Sequence, residues 1–187
     1  MQMRNSLLLC VLLLMGFWPY QAPAQSISEQ LSTLDELRLK DFAEFRRTLA
    51  ELADTLKPEA LNPTEQQYLN LLKAYDLTAR GDFSTALDML EQTELRPDSH
   101  LSLRMTGLKV NIYALSFRYT DAFINIEQLL NALPALNNAN EYYQLVGQII
   151  VLFNNIERYD LSKQLVQRGL NLTDSSSLVC RLNSFGL

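Results

Sequence analysis

A single histidine, His100, and two cysteines, Cys10 and Cys180, are the side chains best able to do metal or nucleophilic chemistry in this 187-residue chain. A metal site needs several ligands at matched spacing, and His100 has no second His or Cys near it. Neither a Cys-x-x-Cys nor a His-Glu-x-x-His pair is present, so no metal is expected. A Gly-rich phosphate loop and a Gly-x-Ser-x-Gly elbow are equally missing, and no cofactor is expected. His100 is read as a solvated histidine in the first turn of a helix. Asp35 with Glu36, and Glu91 with Glu94, read as acids serving solvation and capping. Catalysis requires converging groups, and on these residues the chain is expected to bind rather than to catalyse.

Charge narrows the partner. Sixteen basic residues against 21 acidic give a net charge of −5, and the basic ones are scattered. Phosphate backbones are held by clustered cations, so nucleic acid is excluded as a partner. Six Gly and six Pro leave little material for turns, which favours long helices and short loops.

The first 24 residues follow the grammar of export. Arg4 supplies a positive start, Leu7 to Phe17 an apolar stretch, and Ala22-Pro23-Ala24 the small-x-small pattern of a cleavage site. The alternative is an uncleaved anchor, but a run of about 14 apolar residues falls short of the roughly 20 that cross hydrocarbon. Residues 1–24 are therefore read as a signal peptide, residues 25–187 as the folded domain, and the address as periplasmic. Cleavage removes Cys10 and leaves Cys180 unable to pair within the chain; its apolar neighbours Leu178, Val179 and Leu182 make it a buried thiol.

Apolar residues recur at the helical period throughout, as in Phe42, Phe45, Leu49, Leu52 and Leu56. Helices are expected at 28–39, 41–56, 64–79, 82–94, 99–117, 120–132, 139–155, 160–170 and 177–184. Asn62-Pro63-Thr64-Glu65 offers a cap, a proline in the first turn and a capping-box acid. Pro97-Asp98-Ser99 and Ser175-Ser176-Ser177 mark two further starts. Four turn-like sites carry an aromatic residue, Phe42, Phe83, Tyr119 and Tyr159, spaced 41, 36 and 40 residues apart. Three positions after each comes Phe45, Ala86, Ala122 or Ser162, small in three of the four, where a partner helix can approach. Seven positions after each comes Leu49, Leu90, Ile126 or Val166, on the same face two turns on.

This pattern resembles the tetratricopeptide repeat, a helix–turn–helix unit of about 34 residues. The second unit matches best, through Ala74, Gly81, Phe83 and Ala86; Tyr113, Tyr119, Ala122 and Pro134 carry it in the third, and Phe153 and Tyr159 in the fourth. Val110 and Ile150 depart from it, standing where the family prefers small residues. The resemblance implies an all-α fold, a right-handed superhelix of about four hairpins near 28–56, 64–94, 99–132 and 139–170. A non-repeating helical bundle is the alternative. Residues 175–187 would begin an incomplete or capping helix, and the chain is read as the truncated front of a longer one.

In tetratricopeptide proteins the first helix of each hairpin lines a concave groove. Carried over by spacing, the groove positions here are Tyr68, Leu71, Tyr75, Arg104, Asn111, Gln144, Val151 and Asn155, suited to a protein, a peptide or a small polar ligand. As groove residues, Tyr75 and Arg104 should tolerate alanine without loss of melting temperature. The layout as a whole resembles the periplasmic sensor region of bacterial diguanylate cyclases and related kinases. That implies an input domain for signal transduction, joined to the membrane through a remainder absent here. The Gly-Gly-Asp-Glu-Phe catalytic motif is absent too. A free-standing periplasmic or secreted scaffold for protein–protein interaction is the alternative. Expressed in a Gram-negative host, the chain should yield a periplasmic product beginning at Gln25. Intact mass decides this; the full-length mass in the membrane pellet would mean that the segment is an anchor.

Overall fold

The computed structural model describes residues 26–93, 100–173 and 179–180. The signal-peptide reading, the helix start at 97–99 and most of the 177–184 helix fall outside them. Within the described residues the chain is all-helical and forms no strand. Eight α-helices follow one another: α1 (Ile27–Lys40), α2 (Phe42–Thr55), α3 (Pro63–Ala79), α4 (Phe83–Glu91), α5 (His100–Leu115), α6 (Tyr119–Ala132), α7 (Ala139–Asn155) and α8 (Tyr159–Leu170). The sequence-derived boundaries agree to within three residues.

Local chemistry explains where these helices start. Asn62 accepts from the Glu65 amide at 3.0 Å while Glu65 accepts from the Asn62 amide at 3.0 Å, closing the expected box ahead of Pro63. Ser26 and Glu29 build the same box at α1. Asp41, Asp82 and Asn138 cap α2, α4 and α7. Each cap satisfies an amide that the helix itself leaves unpaired.

The same turn ends three of the helices. Gly81, Phe117 and Glu157, each two residues before a repeat aromatic, take left-handed φ values of 78°, 59° and 60°. At each, the next amide reaches back five residues to a helix carbonyl: Asp82 to Leu77 (3.0 Å), Arg118 to Tyr113 (2.8 Å) and Arg158 to Phe153 (2.8 Å). This is the six-to-one bond of a Schellman ending. Glycine suits it, and Phe117 and Glu157 adopt it at a conformational cost. The first pair differs: Asp41 is extended and directly caps the next helix.

Neighbouring helices pack in pairs, α1 with α2, α3 with α4, α5 with α6 and α7 with α8. The odd-numbered helices also touch in series, α1 to α3 to α5 to α7, and each even helix meets the odd helix that follows it. The positions three after each aromatic, Phe45, Ala86, Ala122 and Ser162, are all fully buried, and Leu49, Leu90, Ile126 and Val166 are buried below them. The core falls into a small cluster around Leu31, Phe45 and Leu72 and a large one running from Leu71 to Val166. Helix α5 is covered on nearly every side, which is why it shows no single apolar stripe. At Gly107 a Cβ would lie 3.3 Å from Gln148 Cγ, so a larger residue there would press α7 away.

Cys180 corrects the sequence reading, being exposed rather than a core thiol. Among the described residues no helix is long and apolar enough to cross a membrane.

Enlarging Ala86 or Ala122, both fully buried, to Leu should overpack the seam between paired helices and cost about 1–3 kcal/mol. Glu157→Gly should stabilise: relief of about 1–2 kcal/mol of left-handed strain exceeds the roughly 0.5–1 kcal/mol of extra chain entropy. Urea melts of the three variants check both signs.

Candidate functional site

Helix α1 buries Leu31 and Leu34 in the core, and the same face continues through Asp35 and Arg38. A carboxylate brought into a core must be fully bonded or costs several kcal/mol. Asp35 is fully bonded. Its Oδ1 accepts from Arg38 Nε at 3.0 Å and from Arg104 Nη2 at 2.9 Å. Its Oδ2 accepts from the Tyr68 hydroxyl at 2.9 Å and pairs with Arg104 Nη1 at 2.8 Å. Arg104 thus grips Asp35 with both terminal nitrogens, the strong forked geometry of this ion pair. The Asp35 side chain is 6% exposed and that of Arg104 3%.

Aromatic faces complete the cluster. The Arg38 guanidinium lies 3.9 Å from the centre of the Tyr75 ring, and Arg104 lies 5.6 and 5.8 Å from Tyr68 and Tyr75. Cations are attracted to such faces, more strongly where water is excluded. The network fastens α1 to α3 and to α5, joining residues 69 apart in sequence.

Burial pushes the Asp35 carboxyl up, but Arg104 and Arg38 outweigh it and hold it below the ordinary range. Tyr68 is pushed up to about 12 by burial and by Asp35, so its hydroxyl stays a neutral donor. His100, one turn before Arg104 on α5, is held below its ordinary value by burial and then by the Arg104 charge.

These residues form the floor and walls of a cleft of about 660 Å³. Helix α1 contributes Asp35, Glu36 and Lys40; α3 contributes Thr64 and Tyr68; α5, His100 and Arg104; α7, Asn140 and Gln144. Three buried polar atoms of this wall lack a hydrogen-bond partner among the described residues: His100 Nε2, Arg104 Nε and Gln144 Oε1. Along the same helices Tyr75 Oη, Asn111 Oδ1 and Gln148 Oε1 are likewise unpartnered. Leaving a buried polar atom unbonded costs about 1–3 kcal/mol, and of these six only the first three are on residues that line the cleft.

Of the residues expected in the groove, Tyr68, Arg104 and Gln144 line this cleft. The others do not. Leu71 is fully buried in the large core, and Val151 is half-buried against it. Tyr75 is buried beneath Arg38, and Asn111 is half-buried on α5. Asn155 donates to the Ala114 carbonyl at 3.2 Å, tying the end of α7 to the end of α5. Tyr75 and Arg104 are therefore not surface positions, and replacing either with alanine should lower stability. Two chemical residues of the site, Asp35 and His100, were read as solvated; both face this cleft, Asp35 buried and His100 half-buried. Asp35 follows Leu31 and Leu34 at helical spacing, an acid on an apolar face, and that was the available signal.

Among the described residues no group of three or more His, Cys, Asp or Glu is placed to hold a metal. In comparisons with known proteins the chain matches no family model, no curated protein and no solved structure.

The depressed carboxyl of Asp35 makes stability pH-dependent. Its contribution is fully present above the ordinary value of 3.8 and is lost as pH falls through the lower, folded value. Asp35→Asn should cost about 3–5 kcal/mol at neutral pH, since it leaves the buried Arg104 guanidinium and the partly exposed one of Arg38 without their counter-charge. Stability of the parent should then fall toward that of the variant under acid. Urea melts from pH 7 down to about pH 2.5 follow the convergence; parallel curves would mean that Asp35 is not charged in the fold.

Proposed function

We propose that this chain is an exported binding module and that the cleft between α1, α3, α5 and α7 is where it binds. The unpartnered buried atoms of His100, Arg104 and Gln144 carry the reading. Two stand on α5 and one on α7, all three on residues that line one cavity, and none has a hydrogen-bond partner among the described residues. The proposed architecture is a right-handed, tetratricopeptide-like superhelix with its odd helices inward. The common turn at Gly81, Phe117 and Glu157 and the serial packing of the odd helices support it. The export-like pattern of residues 1–24 supports a periplasmic address. In that setting the module serves as the input part of a membrane signalling protein, of the kind found in front of diguanylate cyclases.

One observation favours the second reading, a free-standing scaffold for other proteins. Phe117 is 76% exposed, Ile124 71% and Phe123 47%, all on α6 or the turn before it. Large apolar side chains exposed in this way suit contact with a protein partner better than with a small ligand.

A thermal-shift scan of amino acids, organic acids, sugars, nucleosides and short peptides separates the two. A cleft binder raises the melting temperature by mass action, about 2.7 kcal/mol at a hundredfold excess over Kd. Gln144→Ala should abolish the shift and Ile124→Ser should leave it intact. A scan without any shift, with partner capture lost in Ile124→Ser, would favour the scaffold.

A further inference from the structure

Charge in the cleft restricts the kind of ligand. Among the described residues, four charged side chains line it: Asp35, Glu36, Lys40 and Arg104. Each is already answered. Arg104 grips Asp35 at 2.8 and 2.9 Å, and Lys40 meets Glu36 at 3.0 Å. Two further charges act on the same wall: Arg38 shares Asp35, and Glu141 acts on His100. Cations and acids then stand in equal number. His100 is held below its ordinary value by burial and then by Arg104, so it is neutral at pH 7. An ion entering this cleft would leave water and find no unanswered counter-charge, which is unfavourable.

An oily ligand fits no better. Only two of the twelve lining residues, Leu39 and Leu101, are aliphatic, whereas sites for apolar ligands are lined mostly by hydrophobic and aromatic side chains. Three exposed groups are uncharged and polar: Ser32 on α1, Thr64 on α3 and Asn140 on α7. A hydroxyl or an amide both donates and accepts, and hydroxyls on a ligand can answer it in either sense. The two leucines and the Tyr68 ring give the same wall an apolar side. Many hydroxyls joined to an apolar C–H face suit both. Size agrees. Ser32 to Lys40 lines about 12 Å of α1, and about 660 Å³ is an ordinary volume for a small-molecule site.

Resting on the reading of the cleft as a binding site, we propose that it takes an uncharged sugar of one or two rings. The sugar's hydroxyls bond to Ser32, Thr64 and Asn140, and a C–H face of a ring lies against Leu39 and Leu101.

Isothermal titration of the exported chain with glucose, galactose, mannose, maltose and lactose tests this, alongside the aminosugars and uronates of the same rings. The charged forms keep the ring and most of its hydroxyls and change the charge. At least one neutral sugar should bind with Kd below about 1 mM. Its affinity should change by less than about twofold between low and high salt, since no ion pair forms. The aminosugar and the uronate of the same ring should each bind at least about tenfold more weakly. Ser32→Ala, Thr64→Val and Asn140→Ala should each weaken binding about two- to tenfold, the worth of one neutral hydrogen bond. All three side chains are exposed, so the urea midpoints of the variants should match the parent's. Tighter binding of an aminosugar or a uronate, or sugar binding that all three substitutions leave intact, overturns the proposal. Binding of an amino acid, nucleoside or peptide alone, abolished by Gln144→Ala, overturns the ligand class and leaves the cleft as the binding site. Failure of every class, here and in the thermal-shift scan, overturns both.

Discussion

Burying a carboxylate is tolerable only if every lone pair is answered, and the fold around Asp35 is arranged to answer them. Four donors from three helices meet its two oxygens, and two tyrosine rings receive the cations that supply most of them. The consequence is geometric. Helices α1, α3 and α5 lie in series, and only α1 to α3 and α3 to α5 pack closely; the Asp35–Arg104 pair then crosses from the first to the third. Without that crossing the cleft would lose its floor, because Asp35, Tyr68 and Arg104 are at once the network and the lining. The stability of the fold and the shape of the cleft therefore depend on the same few atoms.

Much of the architecture was legible in the sequence. Phe45, Ala86, Ala122 and Ser162 were picked out by spacing alone, and all four are fully buried. The Asn62 box formed as its residue types require. Helix α5 was harder to read for face, since Leu103, Arg104, Met105 and Thr106 are buried in succession around it and periodicity has no stripe to report. The groove was legible only in part. Spacing names the face of an inner helix, but it cannot say whether another helix covers that face. In this chain α1 and its Asp35 cover part of it, so Tyr75 and Arg104 are buried where an open groove would have exposed them. A partner 69 residues away leaves no local trace at Arg104.

The repeated turn shows a different kind of constraint. Phe117 and Glu157 hold a backbone conformation that glycine holds more easily, yet their hydrogen bonds match those at Gly81. Backbone geometry is kept while the side chain changes, as expected when the packing of successive pairs fixes the turn. Phe117 is also the most exposed of the large apolar side chains among the described residues. The strained turn thus displays an exposed aromatic ring, set edge-on to Tyr119 at the start of α6.

The central claim is that Asp35 and Arg104 act as one unit, and a double-mutant cycle measures that directly. Urea melts would compare the parent, Asp35→Asn, Arg104→Gln and the double variant at neutral pH. The account predicts that the double variant is little worse than either single one, with a coupling of at least about 2 kcal/mol, within the range for residues in one buried network. Losses that simply add, to within about 0.5 kcal/mol, would contradict it. They would mean that the two side chains sit in the fold independently and that nothing clasps the first helix to the third.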